Sequence, residues 1–247
     1  MTFINKQAIL HQLPDGICTR KSILQAAQTI DSSFKETQLR YLLSVLDSSH
    51  LLIRVGRNQY RKAAEIQRKP VYRGGYSESA QVVIRKMESK FPLLEYRVWE
   101  LSWLNEFFNH LVAHNKIFLE VEQEGCDFVF SHLVEKFHGR VLLRPKLHDI
   151  EKYGTDDGII IDRLVTESPK GGGQRYQVPL EKLIVDLFAN KKLSMSKADY
   201  SQALEKMFNK YQIDQVSLFR YARRRSKDKE LAIFFRNKTS IPLVMDG

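Results

Sequence analysis

The stretch Ser33–Lys62, SFKETQLRYLLSVLDSSHLLIRVGRNQYRK, decides how the N-terminal third of the chain is read. Leu39, Leu42, Leu43 and Leu46 recur at i, i+3, i+4 and i+7, the spacing of one buried face of an α-helix. Ser33 and Glu36 stand at the S-x-x-E spacing of a capping box, so the helix is expected to start there and run to about Ser48. Leu51–Val55 is β-prone, Gly56-Arg57-Asn58 tolerates left-handed backbone, and Gln59–Arg61 can return as the second strand of a hairpin. At 100° per residue, the helix face opposite the leucines carries Thr37, Arg40, Tyr41 and Ser44, with Lys35 and Gln38 near its entry.

Two more helices are expected upstream. Phe3, Ile4, Ala8, Ile9 and Leu13 suit a short one that Pro14-Asp15-Gly16 ends, because proline disfavours helical backbone in the residue before it. Thr19 can cap a second whose inward stripe is Ile23, Ala26, Ala27 and Ile30. Three short helices followed by a hairpin with a basic tip is the order of a winged helix-turn-helix, whose third helix enters the DNA major groove. On that reading Arg20, Lys21, Arg54 and Arg57 neutralise phosphate, Asn58 adds a contact at the hairpin tip, and Lys35, Thr37, Gln38, Arg40, Tyr41 and Ser44 supply base and backbone contacts.

Charge agrees with this placement. The 247 residues carry 39 Lys and Arg against 29 Asp and Glu, a net of +10. Residues 1–75 hold twelve of the basic and five of the acidic residues, a net of +7, so most of the excess lies in the first third. A polyanionic partner follows from such a field. Hydrophobic residues make up 43% of the chain, enough for a real core, and 12 Gly and 7 Pro exclude a collagen-like or disordered sequence. No apolar run approaches the roughly 20 residues of a membrane span, and MTFINKQAIL lacks the apolar centre of a signal peptide, so a cytoplasmic protein with no membrane partner is expected. Cys18 and Cys126 are too few and too far apart in sequence for a disulfide framework or a metal knuckle.

The expected domain organisation is a winged helix over 1–65, a linker over 66–79 containing Pro70 and Gly74-Gly75, and an α/β domain over 80–247 with a helical C-terminal end. Within the last, a helix through Val82, Val83, Met87 and Phe91 precedes strand-like and helix-like segments in alternation. They are Tyr96–Glu100, a helix through Trp103, Leu104, Phe107, Phe108 and Leu111, Ile117–Glu122, a helix from Phe128 to Phe137, Arg140–Pro145 and Asp157–Val165. Strand and helix in turn imply a small sheet with crossover helices, so the fold class is α+β or α/β. Leu183, Ile184, Leu187 and Phe188, then Tyr200, Leu204, Met207, Phe208 and Tyr211, form the stripes of later helices.

Sites for catalysis are sparse. His110 and His114 stand at i, i+4 on the expected helix, without the intervening Glu of H-E-x-x-H and without a third ligand. Glu120 and Glu122 share one strand face, which leaves open a metal-dependent nuclease of a phage-defence system with Asp157 in support, yet such a site of the restriction type would want an acid-x-Lys on that strand and here Gln123 follows. Lys170-Gly171-Gly172-Gly173 lacks P-loop spacing, and Asp156-Asp157-Gly158 has the composition of a turn. No metal and no cofactor is expected. The run Arg220–Lys229 holds six basic residues and one Asp, and Arg220, Arg223, Arg224 and Arg225 form a candidate second basic patch beside the alternative of a solvated helix end.

The segment Tyr96–Pro145, YRVWELSWLNEFFNHLVAHNKIFLEVEQEGCDFVFSHLVEKFHGRVLLRP, resembles the second domain of AbiEi-like antitoxins, the regulator half of type IV abortive-infection toxin–antitoxin systems. There a Trp-bearing strand leads into W-L-N-E-F, a hydrophobic-V-E strand, a helix, and a strand ending in Pro. Val178–Leu193, VPLEKLIVDLFANKKL, preceded by Ile159–Pro169, IIIDRLVTESP, resembles the family's P-x-E-K helix through Pro179, Glu181, Lys182, Val185, Asp186 and Leu187. The resemblance implies a bacterial, non-enzymatic transcriptional repressor that binds the operator of its own operon as double-stranded DNA. It also implies a functional partner, a nucleotidyltransferase-like toxin countered without a stable complex. The toxin's own Gly-Ser signature does not occur in this chain.

Overall fold

A computed structural model of the chain describes residues 5–49, 51–63, 69–193 and 196–243, so Phe3, Ile4 and the linker positions 66–68 lie outside the described residues. About half of the chain is helical, with two small sheets, which is the mixed α and β composition expected. Two units are distinguished. One holds the N-terminal part up to Lys69 together with Asp214–Val216; the other holds Pro70–Ile213 and Ser217–Pro242.

The first unit orders its elements as α1 (Lys6–Gln12), β1 (Cys18–Thr19), α2 (Arg20–Ile30), α3 (Glu36–Ser48), β2 (Leu52–Gly56) and β3 (Gln59–Lys62). The periodicities translate into burial, except that Ile30, expected on the inward stripe of α2, is the helix's last residue and is 40% exposed. Ile23, Ala26 and Ala27 of α2 and Leu39, Leu42, Leu43 and Leu46 of α3 meet Ile9, Leu13, Cys18, Phe34 and Leu52 in one apolar core. Thr19 caps α2 as expected: its hydroxyl accepts from the Ser22 amide at 3.1 Å while the Ser22 hydroxyl accepts from the Thr19 amide at 2.8 Å.

The cap of α3 differs from expectation. Its N-cap is Lys35, whose amide donates to Gln38 Oε1 at 2.8 Å, so the cap lies two residues after Ser33 and the helix begins at Glu36. Ser33 instead donates through both its amide and its hydroxyl to Asp31, and these two bonds hold the Asp31 carboxyl below the usual carboxylate range. A short Asx turn has outcompeted the capping box. A third strand joins the hairpin, giving an antiparallel sheet of order β1-β3-β2 with Thr19 opposite Gln59.

In the second unit α4 (Glu78–Lys90) precedes β4 (Tyr96–Glu100), β5 (Lys116–Val121), α5 (Cys126–Lys136), β6 (Val141–Leu143), α6 (Leu147–Tyr153) and β7 (Gly158–Arg163). The sheet order is β4-β5-β7-β6, with β4 antiparallel to β5 and the other neighbours parallel. Alternation divides its faces. Val98, Leu119, Val121, Ile159 and Ile161 share a core with Val83 and Met87 of α4 and with Val129 and Leu133 of α5. Trp99 and Phe118 stack at 4.1 Å on the other face. The chain then forms α7 (Leu180–Ala189), α8 (Tyr200–Lys210), α9 (Gln215–Arg224) and α10 (Asp228–Lys238).

Two expectations are corrected here. The helix through Trp103–Leu111 is replaced by a single 3-10 segment, Leu101–Glu106. Phe107 and Phe108 are both buried, and Asn105 Oδ1 accepts from the Val112 amide at 2.6 Å, a local side-chain bond that takes the place of the helical ladder. His110 and His114 therefore sit in exposed irregular chain and lose the i, i+4 relation. The described part of the expected linker packs within the second unit: buried Tyr72 meets Trp103, Phe107 and Tyr211, and Tyr76 meets Trp103 and Tyr176.

Gly74-Gly75 serves close approach there. Trp103 Nε1 donates to Gly75 O at 2.6 Å, and a Cβ on Gly74 would come within 2.3 Å of the indole. Gly74→Ala is expected to destabilise the protein by about 1–3 kcal/mol through overpacking, read as a lowered denaturation midpoint, whereas Gly75→Ala meets nothing within 4 Å on the side-chain side and should be milder.

Candidate nucleic-acid interface

Strand β1 is only two residues long, yet it decides the geometry of the first unit's basic surface. Pairing Thr19 with Gln59 carries the start of α2 to the hairpin tip, where the Arg20 amide donates to Asn58 O at 3.1 Å. Asn58 takes a left-handed φ of 56°, a conformation that asparagine tolerates better than most residues. The result is an open cleft of about 480 Å³ lined by Thr19, Arg20, Lys21, Arg57, Asn58 and Gln59. Arg20, Lys21 and Arg57, chosen from sequence as phosphate contacts, and Asn58, chosen as a contact at the hairpin tip, are thus brought together; Thr19 and Gln59 are additions that only the β1–β3 pairing reveals.

The first turn of α2 contains no acidic residue and two basic ones, Arg20 and Lys21. A helix N-terminus carries about half a positive charge, so cations there oppose the dipole and an anion would relieve both. The cleft is electrostatically suited to phosphate.

On α3, Thr37, Arg40, Tyr41 and Ser44 are exposed, Tyr41 by 65%, while the leucine stripe is buried. Lys35 is exposed at the helix entry. Gln38 is exposed also, but its amide oxygen is engaged by the Lys35 amide, so the two-pronged contact of a glutamine with adenine is not available in this conformation. Arg54 is exposed, with Nε donating to Gly56 O at 3.2 Å.

The carboxylates of the second unit are committed elsewhere. Glu120 is buried on the Trp99 face of the sheet, its Oε1 accepting from Lys182 Nζ at 2.5 Å and from Trp99 Nε1 at 3.2 Å. Glu122 lies beyond the end of β5 and accepts from the Glu95 amide at 3.3 Å. Asp157 is a turn residue with φ 52° that accepts from Ser79 Oγ and Asn115 Nδ2 at 3.0 and 2.8 Å. The paired-carboxylate site weighed from the sequence is therefore not assembled. Among the described residues no group of three or more His, Cys, Asp or Glu is placed to hold a metal ion. Lys170–Gly173 is irregular, with Lys170 Nζ 3.2 Å from Glu95.

Glu120 instead belongs to a buried ionic network that sequence spacing did not suggest. Lys182 also pairs with Asp186 one turn along α7, and Asp186 Oδ1 accepts from Tyr221 Oη at 3.3 Å and Arg225 Nη1 at 3.0 Å. Burial alone would lower the Lys182 pKa, but Asp186 and Glu120 outweigh it and hold the ammonium protonated well above the usual lysine range. Burial raises the Glu120 carboxyl, against the pull of Lys182. Arg225 is thereby withdrawn from the basic patch expected at 220–225, because just after the end of α9 it turns inward to Asp186 and the Tyr221 hydroxyl. Arg220, Arg223 and Arg224 remain exposed.

Residues 38–241 match the model of a family of unknown function (DUF6577), and the chain belongs to that family. No curated protein matches it. Among the described residues no helix is long and apolar enough to cross a membrane.

Proposed function

We propose that this protein is a DNA-binding transcriptional autorepressor whose first unit works as a winged helix-turn-helix, and that it has the antitoxin role of a type IV abortive-infection system. Arg20, Lys21 and Arg57 neutralise backbone phosphates at the cleft, with Arg54 beside them. Arg40, Tyr41, Thr37 and Ser44 of α3 contact the major groove. The observation that carries the DNA reading is the convergence of Arg20, Lys21, Arg57 and Asn58 on one open cleft at a helix N-terminus free of acidic residues. The antitoxin role rests on the resemblance of Tyr96–Pro145 and Val178–Leu193 to the AbiEi-like second domain; a nucleotidyltransferase-like toxin is its functional partner, and the protein itself performs no catalysis.

A reporter driven by the DNA upstream of the gene tests the repressor role. Wild-type protein is expected to silence it, and Arg40→Ala to release it with a loss of about 1–3 kcal/mol in operator affinity, the range for a two-pronged base contact. Unchanged repression by Arg40→Ala would remove α3 from base reading. Co-expression with the product of an adjacent gene carrying the Gly-Ser and Asp-x-Asp signature tests antitoxicity, with growth rescue as the expected result.

A further inference from the structure

We infer that the exposed face of α9 is a second nucleic-acid backbone contact surface, built from Arg220, Arg223 and Arg224 and separate from the cleft of the first unit. The three positions are related by i, i+3 and i+4, so they form one stripe on the helix. Their outward direction is fixed from inside: Leu218, Tyr221 and Ala222 are buried, and Arg225 is tied to Asp186 and Tyr221. Arg224 is further held through Nε on Thr166 Oγ1 at 2.7 Å, which leaves its terminal nitrogens available.

Among the described residues no carboxylate lies within ion-pair distance of Arg220, Arg223 or Arg224, whereas neighbouring Lys227 is neutralised by Glu230 at 2.5 Å. Three unpaired guanidiniums on a rotationally locked helix differ from an ordinary solvated face, where long side chains of both signs intermingle. Guanidinium binds phosphate oxygens through two parallel donors. The stripe spans about 6 Å of helix axis, the rise over which one strand of a duplex presents about two phosphates. A phosphodiester backbone, of DNA or of structured RNA, is the polyanion with that spacing.

The test uses the full chain in two steps. Arg20→Gln, Lys21→Gln and Arg57→Gln together remove the cations of the first unit's cleft. This variant is titrated by fluorescence anisotropy against a labelled 20-base-pair duplex DNA and a labelled RNA hairpin across a salt series. It is expected to retain binding to at least one probe, and adding Arg220→Gln, Arg223→Gln and Arg224→Gln is expected to weaken that binding by about tenfold or more and flatten its dependence on log salt by about 2–3, close to one per phosphate contact. The probe retained tells whether DNA or RNA is the partner. An unchanged thermal midpoint shows that the stripe is not structural. Absence of binding to both probes before the second step, or binding indifferent to it, overturns the inference. Neither result bears on operator preference of the wild-type protein, so this inference and the repressor reading fail separately.

Discussion

Replacing Lys182 with Met is expected to destabilise the protein by about 3–5 kcal/mol, because it leaves Glu120 and Asp186 buried without their shared cation. The cost comes from uncompensated charge, since methionine nearly matches the volume of the lysine stem. A double-mutant cycle separates the two contributions. Glu120→Gln in the Lys182→Met background removes one orphaned charge and keeps a group that can accept from Trp99 Nε1, so a coupling of about 0.5–3 kcal/mol should be recovered. Chemical denaturation followed by tryptophan fluorescence measures both, because Trp99 stands against Glu120. Strictly additive losses would mean that the ion pair does not organise this part of the structure.

The second large effect concerns the cleft. Neutralising Arg20, Lys21 and Arg57 together is expected to reduce the slope of log affinity against log salt by about 2.7 on duplex DNA and to weaken operator and unrelated sequences alike, since phosphate contacts position without specifying sequence. Arg40→Ala should act in the opposite way, costing sequence preference with little change in slope. Stability should be maintained or slightly raised by the Arg20 and Lys21 changes, because both cations oppose the α2 dipole. A slope that stays at its wild-type value would show that the cleft does not face phosphate.

Much of the first unit was legible because its helices are half-exposed. The stripe Leu39, Leu42, Leu43 and Leu46 leaves an unambiguous polar face, and Thr19 is a strong cap. The α3 cap was misread because Ser33 had a nearer acceptor in Asp31. Strand β1 was not seen, since two residues carry no period, and with it went the reason Arg20 and Asn58 are neighbours.

In the second unit the β-prone runs Tyr96–Glu100 and Ile117–Glu122 made two strands readable, the second forming at Lys116–Val121. The Trp103–Leu111 segment was not, because contiguous aromatics fit a buried irregular path as well as a helix. Lys182 and Asp186 at i, i+4 look like a surface pair. The signal that could have corrected this is α7 itself: Leu183, Ile184, Val185, Leu187 and Phe188 surround the helix, and charges set among them, Lys182 and Asp186, are buried with it. Arg225 followed the same logic, since only its partner Asp186 distinguishes it from Arg223 and Arg224.

The central claim is tested most directly by titrating the wild-type protein, at about 50 and 200 mM salt, against the duplex upstream of its gene and a scrambled duplex of equal length. The account predicts tighter binding to the upstream sequence and a fall in affinity of both complexes with salt. No binding to either duplex at the lower salt concentration would contradict it.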